Sequence, residues 1–123
     1  MKYIKTFETI YTSSIGSPDL IIAVKSGNLT NVKKLLNANL DVNCKDHMGW
    51  TPLLWATFNR NIKMIKLLID SGADMNYKAT WSLGGTKRIL DFYDLSVDKG
   101  YIELSRWIET YYPEFVAPKK YNL

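Results

Sequence analysis

Cys44, Asp46 and His47 lie within four residues of one another, and their side-chain types could support nucleophilic chemistry. A thiol becomes a nucleophile when a neighbouring imidazole removes its proton. The chain has one Cys and one His. Apart from His47 itself, therefore, no His is available to act as the base. These two side chains also cannot supply a four-ligand zinc site. Because nothing nearby suggests an oxyanion hole in a closed pocket, we predict no catalytic, cofactor-binding or metal-binding residue and a chain that is not an enzyme.

The composition describes one ordinary globular domain. The chain has 123 residues, 46% of them hydrophobic and 23% charged, with a net charge of +4. The charges are scattered, so they do not by themselves indicate nucleic-acid binding. The longest wholly apolar run is Leu20–Val24, far too short to span a membrane. A single thiol without a secretion signal favours the cytoplasm, which would be that of the host cell for a virus or intracellular pathogen.

The sequence repeats itself. A shift of 33 residues places Ala23–Leu29 on Ala56–Ile62 and Asp41-Val42-Asn43 on Asp74-Met75-Asn76. A further shift of 40 places Leu54-Trp55-Ala56 on Asp94-Leu95-Ser96, so a third unit follows an insertion of seven residues. A period near 33 is typical of a stacked solenoid of short helix pairs.

Local signals within each unit agree with helix pairs. Thr51 can cap a helix with Pro52 in its first turn, predicted to run from Leu53 to about Phe58, and Asp91 can cap the matching helix of the third unit. A second helix is predicted from Ile62 to about Asp70, because its apolar residues share one face.

The middle unit resembles an ankyrin repeat. Thr51-Pro52-Leu53-Leu54 is similar to the family's Thr-Pro-Leu-His, and Gly72–Asn76 to its Gly-Ala-Asp-Val-Asn. Leu54 replaces the usual His and Arg60 the usual Gly. The resemblance implies antiparallel helix pairs with projecting β-hairpin fingers. It also implies that Asp46 braces its finger through hydrogen bonds.

We therefore expect an all-α ankyrin-repeat solenoid of three helix-turn-helix units with β-hairpin fingers and a short N-terminal capping helix. The expected segments are the capping helix, three repeats (the third with an extended finger) and a C-terminal tail that packs partly through Phe115 and Val116. Their bounds are residues 1–16, 17–45, 46–78, 79–112 and 113–123.

The resemblance also implies where a partner would bind, namely the fingertips and the ends of the inner helices on the concave face. Mapped onto this sequence, the predicted partner-binding residues are Lys25, Ser26, His47, Met48, Trp50, Phe58, Asn59, Trp81, Lys87, Arg88, Asp98 and Lys99.

Aromatic residues distinguish the middle of that face. Positions that are normally polar carry Met48, Trp50 and Phe58, and Trp and Phe are residue types that dominate binding energy. A structural alternative stays open, in which Trp50 folds back over the finger and Phe58 packs on the next inner helix. Trp55, in contrast, is interpreted as core.

These observations predict a non-catalytic protein-binding module that inhibits or masks its partner, as an inhibitor, an immunity-type protein or a pathogen or viral factor. An acidic rim on the partner would suit Lys25, Lys87, Arg88 and Lys99, and the module itself would be a monomer or a weak oligomer. The alternative function is nucleic-acid binding through Trp81, Lys87 and Arg88 of the third finger. The sparse charge disfavours that alternative.

Overall fold

The computed structural model of the protein describes residues 18–120. Within that range seven helices and one hairpin follow one another along the chain. They are α1 (Pro18–Lys25), α2 (Leu29–Asn37), α3 (Pro52–Phe58), α4 (Ile62–Asp70), β1 (Ala79–Leu83), β2 (Thr86–Leu90), α5 (Phe92–Asp98), α6 (Ile102–Tyr111) and α7 (Pro113–Lys120). The capping helix expected for residues 1–16 lies outside the described residues.

Three helix pairs stack side by side. The inner helices α1, α3 and α5 contact one another in that order, and each packs on its own outer helix, α2, α4 or α6. Bounds predicted for the middle pair are confirmed within one residue, since α3 ends at Phe58 and α4 covers Ile62–Asp70. The stack is therefore the ankyrin-type solenoid that the repeat pattern predicts.

Side-chain caps fix where the inner helices begin. Oγ1 of Thr51 accepts the N–H of Leu54 at 3.4 Å, and Oδ1 of Asp91 accepts the N–H of Asp94 at 2.9 Å. Such bonds satisfy backbone donors that have no partner inside the helix. Both predicted caps are confirmed.

The turn between the two helices of each pair uses one backbone conformation. Gly27, Arg60 and Gly100 occupy the same repeat position and have φ values of 76°, 57° and 75°. Glycine adopts this left-handed region without steric cost, whereas arginine does so with some strain. The guanidinium of Arg60 stacks 4.8 Å from the ring centre of Tyr101, which stabilises the strained turn.

The core lies between the inner and outer helices. Apolar side chains that are at least 98% buried line it from every pair. They are Leu20, Ala23, Val24, Val32, Leu53, Ala56, Met64, Ile65, Leu68, Phe92, Leu95, Leu104 and Ile108.

Strand pairing, within residues 18–120, is confined to the finger that carries the insertion. β1 and β2 pair antiparallel in a register that runs from Ala79 opposite Leu90 to Leu83 opposite Thr86. The finger between the first two pairs is built instead from tight turns, in which Asp46 N–H bonds to the Trp50 carbonyl at 3.0 Å. The seven extra residues supply the length that five paired positions require.

The C-terminal segment forms α7 and packs on α6. Val116 is buried, and the ring of Phe115 lies 5.5 Å from that of Phe92. The predicted packing through Phe115 and Val116 is confirmed. These residues lie on a helix, which was not predicted because the segment contains two prolines.

Ionic contacts hold α7 on the last pair. The ammonium of Lys119 pairs with the carboxylates of Asp91 and Asp94, and Asp91 is only 1% exposed. Lys120 pairs with Glu109 of α6 at 3.1 Å, and the same carboxylate accepts the hydroxyl of Tyr93 at 2.7 Å. These bonds join α5, α6 and α7.

None of the helices described between residues 18 and 120 is long and apolar enough to cross a membrane.

Candidate functional site

Four aromatic rings gather where the middle repeat meets the hairpin. We call Trp50, Trp55, Phe58 and Trp81 the aromatic cluster. Its ring centres lie 4.9 Å apart for Trp50 and Trp55, 5.2 Å for Trp50 and Trp81, and 5.7 Å for Phe58 and Trp81. Tilted and edge-on rings at such distances attract one another beyond their area burial. Trp55, Phe58 and Trp81 remain partly exposed, so the cluster has an outer side.

Trp50 is the buried member of the aromatic cluster. Its side chain is 4% exposed, and its Nε1 donates to the Thr80 carbonyl at 3.3 Å. The prediction that Trp50 faces solvent is therefore wrong. Thr80 and Trp81 of the long hairpin lie over the indole, as in the structural alternative in which Trp50 folds back over the finger.

The sequence indicates that Trp55 is a core residue, but the structure does not bury it fully. It is only partly buried, and its Nε1 donates to Oδ2 of Asp46 at 2.8 Å. Oδ1 of Asp46 also accepts the N–H groups of Met48 and Trp50, each at 2.9 Å. The expected brace at Asp46 is confirmed, and it extends to an inner-helix side chain.

Two lysines border the exposed side of the aromatic cluster. Nζ of Lys25 lies 4.4 Å from the ring centre of Trp55. Nζ of Lys99 lies 5.2 Å from the ring centre of Phe58 and 5.5 Å from that of Trp81. Among the described residues neither lysine pairs with a carboxylate, so both charges rest on aromatic faces.

Ile22 extends this surface and was missed by sequence reasoning. It is 62% exposed and lies one helical turn before Lys25 on α1, so the two side chains share a face. The shift of 33 residues aligns Ile22 with Trp55, so the two residues occupy the same position on successive inner helices. We call the surface formed by Ile22, Lys25, Trp55, Phe58, Trp81 and Lys99 the inner-helix face.

The hairpin separates the residues predicted for nucleic-acid binding. Trp81 lies opposite Arg88, whereas Lys87 is next along β2. Successive side chains of a strand point to opposite faces, so Lys87 lies away from the aromatic cluster. Arg88 pairs with Asp98. The basic patch expected around Trp81 is therefore divided, with one of its cations neutralised.

The remaining predicted residues lie around this face in several settings. His47 and Met48 are exposed on the finger between the first two repeats. Ser26 and Asn59 are exposed as well, and Nδ2 of Asn59 donates to the Lys25 carbonyl at 3.2 Å, which ties α3 to α1.

Cys44 and His47, first considered for chemistry, differ in their exposure to solvent. Cys44 is buried with 4% exposure, whereas His47 is exposed. Within residues 18–120 no three side chains of His, Cys, Asp or Glu gather into a group that could hold a metal ion.

A shallow cleft of about 490 Å³ lies elsewhere, between the N-terminal ends of α4 and α6. Arg60, Ile62, Tyr101 and Ile102 are among its lining residues, and none of the predicted site residues lines it.

Comparison with known proteins identifies similar sequences. The family model described as ankyrin repeats (3 copies) matches residues 11–79. The human protein named mitochondrial disaggregase is 38% identical over 68 residues, which covers 54% of this chain and 10% of that protein. The palmitoyltransferase akr1 of Schizosaccharomyces pombe is 41% identical over 58 residues, 46% of this chain and 9% of that protein.

A third relative is the ankyrin repeat, SAM and basic leucine zipper domain-containing protein 1 of Carollia perspicillata. It is 34% identical over 55 residues, 45% of this chain and 12% of that protein. The chain therefore spans about a tenth of the length of these relatives.

Proposed function

Because the chain belongs to the ankyrin-repeat family, we propose that it is a non-catalytic module that binds another protein through its inner-helix face and its fingers. Proteins of this family generally act in protein–protein interaction. By occupying that partner, the module inhibits or masks it.

One observation carries this proposal: partly exposed aromatic rings and an exposed isoleucine lie together between two lysines that have no ion pair in the described chain. Aromatic side chains concentrate binding energy when a partner excludes water from them. An ordinary interface of about 800 Å² on each side would cover this face and the adjoining finger.

The lysines indicate the charge of the partner. Lys25 and Lys99 retain their charges for an incoming group, while Arg88 is already paired with Asp98. An acidic rim around an apolar centre complements this pattern and accelerates association. The proposed setting is the cytoplasm of a cell, which is the host cell for a virus or intracellular pathogen, and the proposed state in solution is a monomer or a weak oligomer.

Affinity capture followed by measured binding tests the proposal. A captured protein is purified, and its Kd is determined for the wild type, Ile22→Asp and Lys25→Glu. We expect each substitution to raise the Kd at least about tenfold, or about 1.4 kcal/mol. Both side chains are exposed, so both variants should unfold at the wild-type denaturant concentration.

Lys33→Glu is the matched control, because Lys33 is an exposed lysine of the outer helix α2. Its Kd should stay within about twofold of the wild-type value, apart from long-range charge effects that salt removes. Equal Kd values for the wild type and both inner-helix-face variants would reject the proposed site. A partner that keeps its own activity in the saturated complex would reject inhibition.

A further inference from the structure

We propose that Lys99 and the indole N–H of Trp81 form a carboxylate-binding subsite that takes a glutamate or aspartate side chain from the partner. The inference rests on the proposed function, since it names the group that the inner-helix face recognises. It concerns two donors in one small region that have no acceptor in the described chain.

The first donor is Nε1 of Trp81. It is buried, and no hydrogen-bond acceptor within residues 18–120 reaches it. Its neighbours differ, because Nε1 of Trp50 donates to the Thr80 carbonyl at 3.3 Å and Nε1 of Trp55 donates to Asp46 at 2.8 Å. A buried donor without an acceptor is costly, so an incoming acceptor gains more at Trp81 than at a donor already bonded.

The second donor is the ammonium of Lys99, which lies over the rings of Phe58 and Trp81 at 5.2 Å and 5.5 Å from their centres. No described carboxylate lies within ion-pair distance of it. A lysine held by ring faces alone keeps a flexible stem. It can therefore swing aside to admit a carboxylate to the indole and then bond to the same group.

Two carboxylates of neighbouring residues are already engaged: Asp98 precedes Lys99 in the chain, and Asp46 bonds to Trp55 of the aromatic cluster. Asp98 pairs with Arg88, and Asp46 accepts three N–H groups. Donors are in excess here, which calls for an acceptor that carries negative charge. Hydrogen bonds between an ammonium and a carboxylate are stronger than neutral ones, so an acidic side chain gains from both donors together.

Charge density favours a carboxylate over the phosphates of a nucleic acid. Binding a phosphate backbone requires several cations in line, whereas this subsite offers one ammonium beside one neutral N–H. Arg88, whose fork would suit a phosphate, is paired with Asp98. A single acidic side chain matches the size and charge of the subsite.

Nuclear magnetic resonance of the four tryptophan indole N–H groups tests the proposal directly. The probe is hexaglutamate with blocked ends, titrated into the ¹⁵N-labelled full chain at low ionic strength. Hexaglutamine with blocked ends is the uncharged control. The Trp81 signal is assigned from its loss in Trp81→Phe or, should that variant not fold, by linking the indole to the sequentially assigned backbone of Trp81.

We expect hexaglutamate to shift the Trp81 indole signal more than the other three, and hexaglutamine to leave it in place. Lys99→Met keeps the apolar stem but removes the charge, and it should raise the Kd for hexaglutamate about tenfold. Lys63→Met, which changes an exposed lysine of α4, should leave that Kd unchanged.

Three results would overturn the subsite: a Trp81 signal that stays fixed at millimolar hexaglutamate, an equal response to hexaglutamine, or equal Kd values in Lys99→Met and Lys63→Met. A stronger response to a single-stranded oligonucleotide would also overturn it, in favour of phosphate recognition. The proposed function fails separately, when Ile22→Asp and Lys25→Glu leave the Kd for the captured protein unchanged.

Discussion

The indole nitrogen of Trp55 donates to Oδ2 of Asp46 at 2.8 Å, and this bond joins an inner helix to the finger that precedes it. Oδ1 of the same carboxylate holds the N–H groups of Met48 and Trp50. One side chain thus sets the shape of the turn and the position of a ring in the aromatic cluster.

Replacing Asp46 should destabilise the fold. Asp46→Ala leaves three donors without their acceptor. A hydrogen bond to a charged group is worth about 1.5–3 kcal/mol, but Asp46 is partly exposed and water can replace part of each bond, so we expect a total loss of about 3 kcal/mol in the free energy of unfolding. Urea denaturation followed by circular dichroism measures the loss.

Asp46→Asn keeps one carbonyl oxygen and should lose less than half as much. Asp41→Ala is the control, because Asp41 accepts a single exposed N–H, from Asn43; we expect a loss of at most about 1 kcal/mol. Equal losses for Asp41→Ala and Asp46→Ala would contradict the bracing role.

Trp50 should behave as a core residue. Trp50→Ala removes a 4% exposed indole that contacts three other rings, and large-to-small core substitutions of this kind cost about 3–5 kcal/mol. Met48→Ala, at a side chain that is 52% exposed, should change the unfolding free energy by less than about 0.5 kcal/mol. A thermal melt of each variant compares them, and a Trp50→Ala melt at the wild-type temperature would refute the assignment.

Lys119 and Asp91 should be energetically coupled. Lys119→Met leaves the carboxylate of Asp91 buried beside Asp94 without its cation, and breaking a buried pair from one side costs about 3–5 kcal/mol. Lys119 is itself 23% exposed, so solvent screening reduces our expectation to about 2 kcal/mol.

The matching repeat position suggests the rescue. Thr51 caps α3 without charge, so Asp91→Thr should keep the cap and remove the need for a cation. In the Asp91→Thr background, Lys119→Met should cost less than about 0.5 kcal/mol in chemical denaturation, a coupling that a double-mutant cycle isolates. Identical costs in both backgrounds would show that the pair is not coupled.

Tyr93 should make stability fall at high pH. Burial, together with its bond to Glu109, raises the pKa of Tyr93 from 10.0 to about 12. The folded state therefore keeps this proton where the unfolded chain loses it, and the stabilisation is complete below about pH 10 and lost as the pH rises to about 12. Between about pH 10 and pH 12 the unfolding free energy of the wild type should therefore fall relative to that of Tyr93→Phe. A constant difference would contradict the assigned pKa.

Glu109 should make stability fall at low pH. Hydrogen bonds from Tyr93 and then Lys120 lower its pKa below the ordinary value of 4.5. Its contribution is therefore present above about pH 4.5 and disappears as the pH falls through the lowered pKa. Glu109→Gln should lack this part of the acid-induced loss of stability, measured by urea midpoints between about pH 6 and pH 3; an unchanged acid profile would be the contrary result.

Much of the fold could be predicted from the sequence because it is periodic and local. The shifts of 33 and 40 align the repeats, and caps such as Thr51 and Asp91 act on donors three residues away. The role of Asp46 followed from the resemblance to the family. The inner-helix position of Phe58 was likewise available from the alignment.

The surroundings of Trp50 and Trp55 could not be predicted in the same way. Trp50 is covered by Thr80 and Trp81, about thirty residues further along, and their placement depends on the direction in which the inserted hairpin folds. A repeat period carries no information about such an insertion. For Trp55, the matching residues Ile22 and Leu95 are also apolar, so the repeat position indicates core and not the partial exposure that the structure shows.

The ion pairs could not be predicted from the sequence for a related reason. Arg88 meets Asp98 through the strand register, and Lys119 meets Asp91 through a helix that the prolines of the tail obscured. Both pairs change which cations remain available to a partner, so counting charges along the chain misjudges the surface.

The bond between Lys119 and Asp91 also limits how this solenoid can be engineered. Consensus arrays are commonly lengthened by splicing in identical units. A unit spliced in after Tyr112 would separate Lys119 from Asp91 and leave that carboxylate facing the neighbouring unit. Lengthening the stack at this end would thus require Asp91→Thr as well.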